Sequence, residues 1–362
     1  MNEEEKLRNP RWKKWGPYVS HRQWGNVRED YSTNGDAWGF TGHDTAEAWT
    51  YRWAEEGIAG ISDEKQQMCF AFSFWNKKDI RIKERFFGLS NHQGNHGEDI
   101  KEIFYYLDNT PSHSYMKMVY KYPINEFPYE ELINVNGQRS KNEMEYEIID
   151  TGIFDNDEYF DIFIEYAKAG EDDFLIRIDV HNRSDRPAPI VVLPTVWYRN
   201  NWVWGYNDYK ANLGFSKQGE IDIHHDSLSI KKLYSRNRNV DALFCENETN
   251  RARLFNLPKT EGFFKDGINQ YITKGLDTIN PKKTGTKASL HCEEIVEAHS
   301  NKVFEFRLSP HIMEDAFWDF DEIVARRKQE ADDFYGNIQQ DIDNEDEKNV
   351  QRQAFAGLLW NK

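Results

Sequence analysis

The chain has 362 residues, with 46 Lys plus Arg against 62 Asp plus Glu and a formal net charge of −16. So acidic a surface repels phosphate backbones and anionic lipid, which excludes nucleic acid and membrane surfaces as partners. Aromatic residues make up 15% of the chain, enough bulk to carry a core although hydrophobic residues total only 38%.

The first residues, Met1-Asn2-Glu3-Glu4-Glu5-Lys6, have no apolar h-region. The expectation is therefore no secretory signal and a cytoplasmic protein. No apolar run approaches the roughly 20 residues that span a bilayer. Cys69, Cys245 and Cys292 form no CxxC pair, so neither a disulfide framework nor a zinc site is expected. The segments 24–32, 38–44 and 51–60 mix glycine turns with Trp, Arg, His and carboxylates. Such groups suit a polyol site, and they equally suit the buried polar network of a large sandwich. Phe70, Phe72 and Phe74 alternate with small residues, the period of a half-buried strand.

The loop Asn91-His92-Gln93-Gly94-Asn95-His96-Gly97-Glu98-Asp99 holds two imidazoles and two carboxylates. His-x-x-x-His chelates zinc when both rings share a helix face, but Gly94 argues against a helix, so no metal is expected. Adjacent carboxylates diverge, so Glu98 and Asp99 are not the separated acid–base pair of a glycosidase. Further strands follow at 160–166, 174–180 and 304–308, with turn clusters at 168–173, 182–187 and 280–285. The run Ile190 to Leu193 is apolar on both faces and reads as a central strand. After it, Arg199 to Gly205 sets aromatics and amides at a strand end, a sugar platform or a sandwich rim. These elements predict a mainly β fold, a large two-sheet antiparallel β-sandwich.

The last fifty residues change character. Asp319 to Ile338 has helical spacing, with Phe320, Ile323, Val324, Arg327, Ala331, Phe334 and Tyr335 on one side. Asp341 to Glu347 reads as an acidic helix N-terminus and not as a calcium loop, because Asp346 stands where the sixth-position glycine belongs. Asn349 to Lys362 predicts a second helix with Val350, Ala354, Phe355, Leu358 and Leu359 on its apolar stripe and no Gly or Asn C-cap. It reads as the opening of a helical domain, or as a terminal helix docked on the sandwich. Walker, dinucleotide GxGxxG and Gly-x-Ser-x-Gly motifs are absent, and no cofactor is expected.

Several strings stand in the same order as in a group of bacterial and fungal proteins. They are Trp24 to Ser32, His43-Asp44, Tyr51 to Gly60, Gly94 to Glu102 and Tyr106-Leu107-Asp108 with Pro111 to Lys117. Glu246 to Asn250, Lys265 to Asn269 and Gly285 to Ala288 follow. On these strings, from about Trp15 to Trp360, the chain resembles proteins related to glycoside hydrolase family 63, the processing α-glucosidase I family. The resemblance implies an N-terminal β-sandwich (1–312), a helical linker (313–348) and the first helix of a six-hairpin (α/α) barrel (349–362). It implies inverting hydrolysis of α-linked glucosides, with both catalytic carboxylates in the barrel, so no catalytic residue carries over to this chain. The partners it implies are an oligosaccharide and the barrel itself, in cis or as a separate chain. Within that reading, residue type singles out Trp38, His43, Asp44, Arg52, Asn95, His96, Glu98 and Asp99 as substrate-facing. A free-standing carbohydrate-binding or interaction module is the alternative. A sugar epimerase or lyase confined to the sandwich would have to use His96 with Glu98.

Overall fold

The computed structural model describes residues 1–18, 42–50, 57–86, 102–205, 209–258 and 260–361. Among them, strands dominate and form two antiparallel sheets. In chain order the strands are β1 (Trp15–Gly16), β2 (Ile58–Asp63), β3 (Met68–Trp75), β4 (Ile103–Asn109) and β5 (Tyr115–Pro123). Next come β6 (Tyr159–Gly170), β7 (Asp173–Asn182), β8 (Ala188–Tyr198), β9 (Asn212–Phe215) and β10 (Glu220–His224). The last are β11 (Lys232–Ser235), β12 (Asp241–Cys245), β13 (Thr284–Gly285), β14 (Lys287–Val296) and β15 (Asn301–Ser309). The six-stranded sheet has the order β1-β2-β3-β8-β14-β12, and the nine-stranded sheet β13-β9-β10-β11-β15-β7-β6-β5-β4.

The expected alternation aligns across strands. Ile162 pairs with Val180 and Ile164 with Ile178, while Ile178 pairs in turn with Phe304 and Ile176 with Phe306. A one-residue slip would turn Asp161, Phe163 and Glu165 into the core, so the register is held by burial. Phe72 of the six-stranded sheet meets Tyr166 and Phe306 of the other at centroid distances of 6.4 and 6.0 Å. The two sheets thus share one aromatic core, and the chain is the expected β-sandwich. β8 is central, between β3 and β14. Ile190 and Val192 face the main core, and Val191 and Leu193 pack on Ile82, Trp75 and Ile272 on the other side.

Short helices fill the edges: α1 (Glu3–Arg8), α2 (His43–Ala48), α3 (Tyr129–Gln138), α4 (Arg251–Phe255) and α5 (Gly267–Lys274). Two longer ones close the chain, α6 (Phe320–Ile338) and α7 (Glu345–Trp360). α6 lies on the outer face of the nine-stranded sheet, setting Phe320, Ile323 and Val324 against Ala167 and Leu175. None of the described helices is long and apolar enough to cross a membrane.

α7 docks on the sandwich differently from the expected stripe. Its buried positions are Ala356 and Trp360, while Val350, Ala354 and Leu358 are exposed. The Trp360 ring stacks on Tyr106 at 5.5 Å and donates from Nε1 to the Asp108 carbonyl at 3.1 Å. One turn pair earlier, Arg352 ion-pairs Asp108. The largest ring and the buried carboxylate therefore set the rotation of the helix, not the aliphatic count. Asn361 caps it, donating from Nδ2 to the Gly357 carbonyl at 2.8 Å, which corrects the expectation of an uncapped end.

The N-terminal helix is sealed on by a buried polar seam. Glu3 accepts from the Ser112 backbone N–H and from the hydroxyls of Ser112 and Ser114, each at 2.8 Å. Lys6 pairs with Glu330 of α6, and Arg327 donates from Nε to the Lys168 carbonyl at 2.6 Å. Lys168 donates to the carbonyls of Trp12 and Trp15 at 2.6 and 2.7 Å. The string Pro111 to Lys117 thus serves here to fasten α1, β6 and α6 together.

Candidate functional site

At one end of the six-stranded sheet, the β8–β9 connection meets the segment after β12 and the end of α2. The β8 strand end places Asn200, Val203 and Trp204; the segment after β12 places Glu248, Thr249 and Arg251; α2 delivers Trp49 and Thr50. Together they enclose a cleft of about 330 Å³. Thr260, Glu261 and Phe264 close its far side.

Hydrogen bonds fix this arrangement from beneath. Asn200 donates from Nδ2 to the Asn247 carbonyl at 2.8 Å, and Asn247 donates from its own Nδ2 to the Tyr198 carbonyl at 2.9 Å. The Asn247 backbone N–H donates to Thr286 Oγ1 at 2.7 Å, and Thr286 Oγ1 donates to Glu246 at 2.8 Å. The Thr50 backbone N–H donates to Thr249 Oγ1 at 3.1 Å, and Asn250 N–H to the Ala48 carbonyl at 2.9 Å. Lys265 reaches the carbonyls of Ala46 and Trp49 at 2.6 and 2.5 Å, locking the end of α2 in place.

Two glycines of the underlying strings sit where backbone approaches backbone. A Cβ on Gly267 would lie 2.3 Å from the Thr278 carbonyl oxygen, and one on Gly285 2.3 Å from that of Cys245. Only a residue without a side chain fits either place. The strings from Glu246, Lys265 and Gly285 are therefore one structural unit supporting the cleft.

The carboxylates here are held as hydrogen-bond acceptors. Glu248 Oε1 accepts from Trp202 Nε1 at 2.9 Å and from Lys210 Nζ at 2.8 Å. Lys210 also lies 3.0 Å from Glu246. Burial works to lower the Lys210 ammonium, but the hydrogen bonds it donates to Glu248 and Glu246 outweigh it and raise its pKa. A charged Lys210 keeps both carboxylates committed to accepting bonds, the chemistry that binds hydroxyls. Above them Trp204 is 38% exposed and Val203 61%. An aromatic face beside fixed acceptors suits the C–H face and hydroxyl edge of a pyranose.

Of the substrate-facing residues expected from sequence, Trp38, Arg52, Asn95, His96, Glu98 and Asp99 lie outside the described residues, and so does the His96–Glu98 pair. His43 opens α2 but is buried, its ring edge-on to Tyr129 at 4.8 Å. Tyr129 accepts from Lys83 at 2.6 Å, and Lys83 pairs with Glu102 at the same distance. Burial, then the cations Arg81, Arg85 and Lys83, hold the His43 pKa well below the ordinary range. Asp44 is exposed and pairs with Arg253 at 2.8 Å, which also pairs with Asp266 at 3.0 Å. Neither His43 nor Asp44 lines the cleft. The lining residues that sequence reasoning passed over, Trp49, Arg251 and Phe264, carry no local motif; Thr249 lies in the Glu246 to Asn250 string. Among the described residues, no group of three His, Cys, Asp or Glu could hold a metal ion.

No family model matches the chain. It is 37% identical over 415 aligned positions to an uncharacterized protein of Saccharomyces cerevisiae. That alignment takes in 99% of this chain and 38% of the yeast protein, so the chain spans well under half the length of this relative. Among solved structures it is similar to "Putative kojibiose phosphorylase from human microbiome", at 9% identity and a TM-score of 0.27. The overlap takes in 79% of this chain and 27% of that one, a likeness too slight to bear on fold or function.

Proposed function

We propose that this chain is the non-catalytic β-sandwich portion of a cytoplasmic, family 63-like inverting α-glucosidase or related glycoside hydrolase. It packs on an (α/α) barrel, whose first helix is 349–362, and shapes one side of the sugar pocket with the cleft at Trp49, Trp204 and Glu248. The observation that carries this reading is convergence. The strings from Glu246, Lys265 and Gly285, on which the resemblance rests, fold together beneath a single aromatic and acidic cleft. The exposed Val350, Ala354 and Leu358 of α7 offer a face for the barrel.

Calorimetry of the 362-residue chain with glucose disaccharides, together with an α-glucosidase assay, tests it. Sugar binding reduced by Trp204→Ala, with no turnover, is expected. Turnover by this chain alone, or sugar binding that Trp204→Ala leaves untouched, contradicts it. The docked and capped α7 favours a second reading, a free-standing carbohydrate-binding or interaction module. A chain that is monomeric without any helical partner supports that second reading. A chain that aggregates until a helical domain is co-expressed supports the first.

A further inference from the structure

We propose a second carbohydrate site, a groove on the outer face of the nine-stranded sheet along α6 that takes a short neutral oligosaccharide. It lies on the opposite sheet from the cleft and does not depend on the reading given to the cleft. The groove encloses about 430 Å³, within the range of small-ligand sites. Its floor crosses β5, β6 and β7, and its wall is the first turns of α6. Two strand spacings make the floor roughly 10 Å wide, the span of a disaccharide.

At its centre Phe163 stands on the solvent side of β6, half-buried, where the core has no use for it. His181 meets the ring edge-on at 5.4 Å and 85°. The Lys117 ammonium lies 5.4 Å from the ring centroid. An aromatic ring presents a negative face, which attracts the polarised C–H groups of a pyranose as it attracts that cation.

The polar groups around the ring are already fixed. Arg177 donates from Nε and Nη2 to Glu305 at 3.0 and 2.8 Å. Asp179 accepts from Asn301 at 2.7 Å and lies 3.0 Å from His181 Nε2. A groove whose side chains are held before binding loses less freedom when a ligand enters. Lys117 on the floor and Lys328 on the wall bring ammonium donors, the chemistry that binds hydroxyls.

Charge selects the ligand class. The lining carries Lys117, Arg177 and Lys328 against Glu165, Asp179 and Asp321, three cations to three carboxylates. With no net field, the groove has nothing to concentrate a phosphate or polyanion. Mixed donors and acceptors about one ring fit a chain of neutral hydroxyls.

The test is calorimetry with maltotriose and with cellotriose on the Trp204→Ala chain, in which the cleft binds about tenfold more weakly. One trisaccharide is expected to bind, and Phe163→Ala added to that chain should weaken it about tenfold or more. Ala325→Trp fills the groove from an exposed helix position, so it keeps the fold and should block binding even if Phe163→Ala does not fold. No binding of either sugar in the Trp204→Ala background overturns the proposal. So does binding there whose affinity both groove substitutions leave unchanged. Loss of the cleft's own signal in Trp204→Ala bears only on the cleft.

Discussion

The cleft and the polar seam under α1 are both dense in charged side chains, and both are built on strings that carry the family resemblance. They differ in where the polar groups end. In the seam, Glu3, Lys6 and Lys168 spend their bonds on serines, carbonyls and Glu330, and the side chains of Glu3 and Lys6 are almost wholly buried. In the cleft, Glu248 and Lys210 brace each other beside the partly exposed Trp204 and the exposed Val203. Motif density alone therefore does not mark a site. Polar groups that close on one another hold the fold, while those that brace an exposed aromatic residue are the ones proposed to bind.

That contrast predicts opposite responses to substitution. The largest effect belongs to the seam. Glu3→Ala leaves the Ser112 N–H and two serine hydroxyls without their acceptor, while Lys6 keeps Glu330, and should cost about 3 kcal/mol or more of stability in urea melts. Sugar affinity should be unchanged under conditions where that variant is still folded. Gly285→Ala, beneath the cleft, drives a Cβ toward the Cys245 carbonyl and should cost about 1–3 kcal/mol by the same measurement. It should also weaken sugar binding, because it shifts the support of Glu246 and Asn247. Trp204→Ala reverses the pattern. Stability should stay within ~0.5 kcal/mol, while calorimetric affinity for glucose disaccharides falls about tenfold, the equivalent of ~1.4 kcal/mol.

A further effect is a pH slope. Burial pulls the Lys168 amine down to about 7 from its ordinary 10.5. Between those values the unfolded chain binds the proton more readily than the folded one, so stability rises with pH through that window. Melts from pH 7 to 9 should show this rise, and Lys168→Met should flatten it whatever its absolute stability. Binding at the cleft should stay level over the same range, because the Lys210 pKa is raised and its charge persists.

The sandwich was legible because alternation has one physical cause, burial of every second residue. Phe70 to Phe74, Phe160 to Tyr166 and Phe174 to Val180 all became strands with the expected face inward. The helix over 320–338 was legible for the same reason, its buried side matching the expected residues except Phe334. The rotation of α7 was not, because Trp360 and Arg352 answer to Tyr106 and Asp108, some 250 residues earlier in the chain. The cleft was legible only in pieces. Arg199 to Gly205 and Glu246 to Asn250 were visible as strings, but nothing local brings Trp49 to Thr249. His43 stood out for its residue type, yet its ring faces Tyr129, a contact only tertiary structure creates.

Hydrogen exchange measured with and without a saturating glucose disaccharide tests the distinction most directly. Backbone amides at 49–50, 200–204 and 248–251 should be protected, with no change in the seam at 3–8 and 112–114. Unchanged exchange around the cleft, or protection confined to the seam, would contradict it.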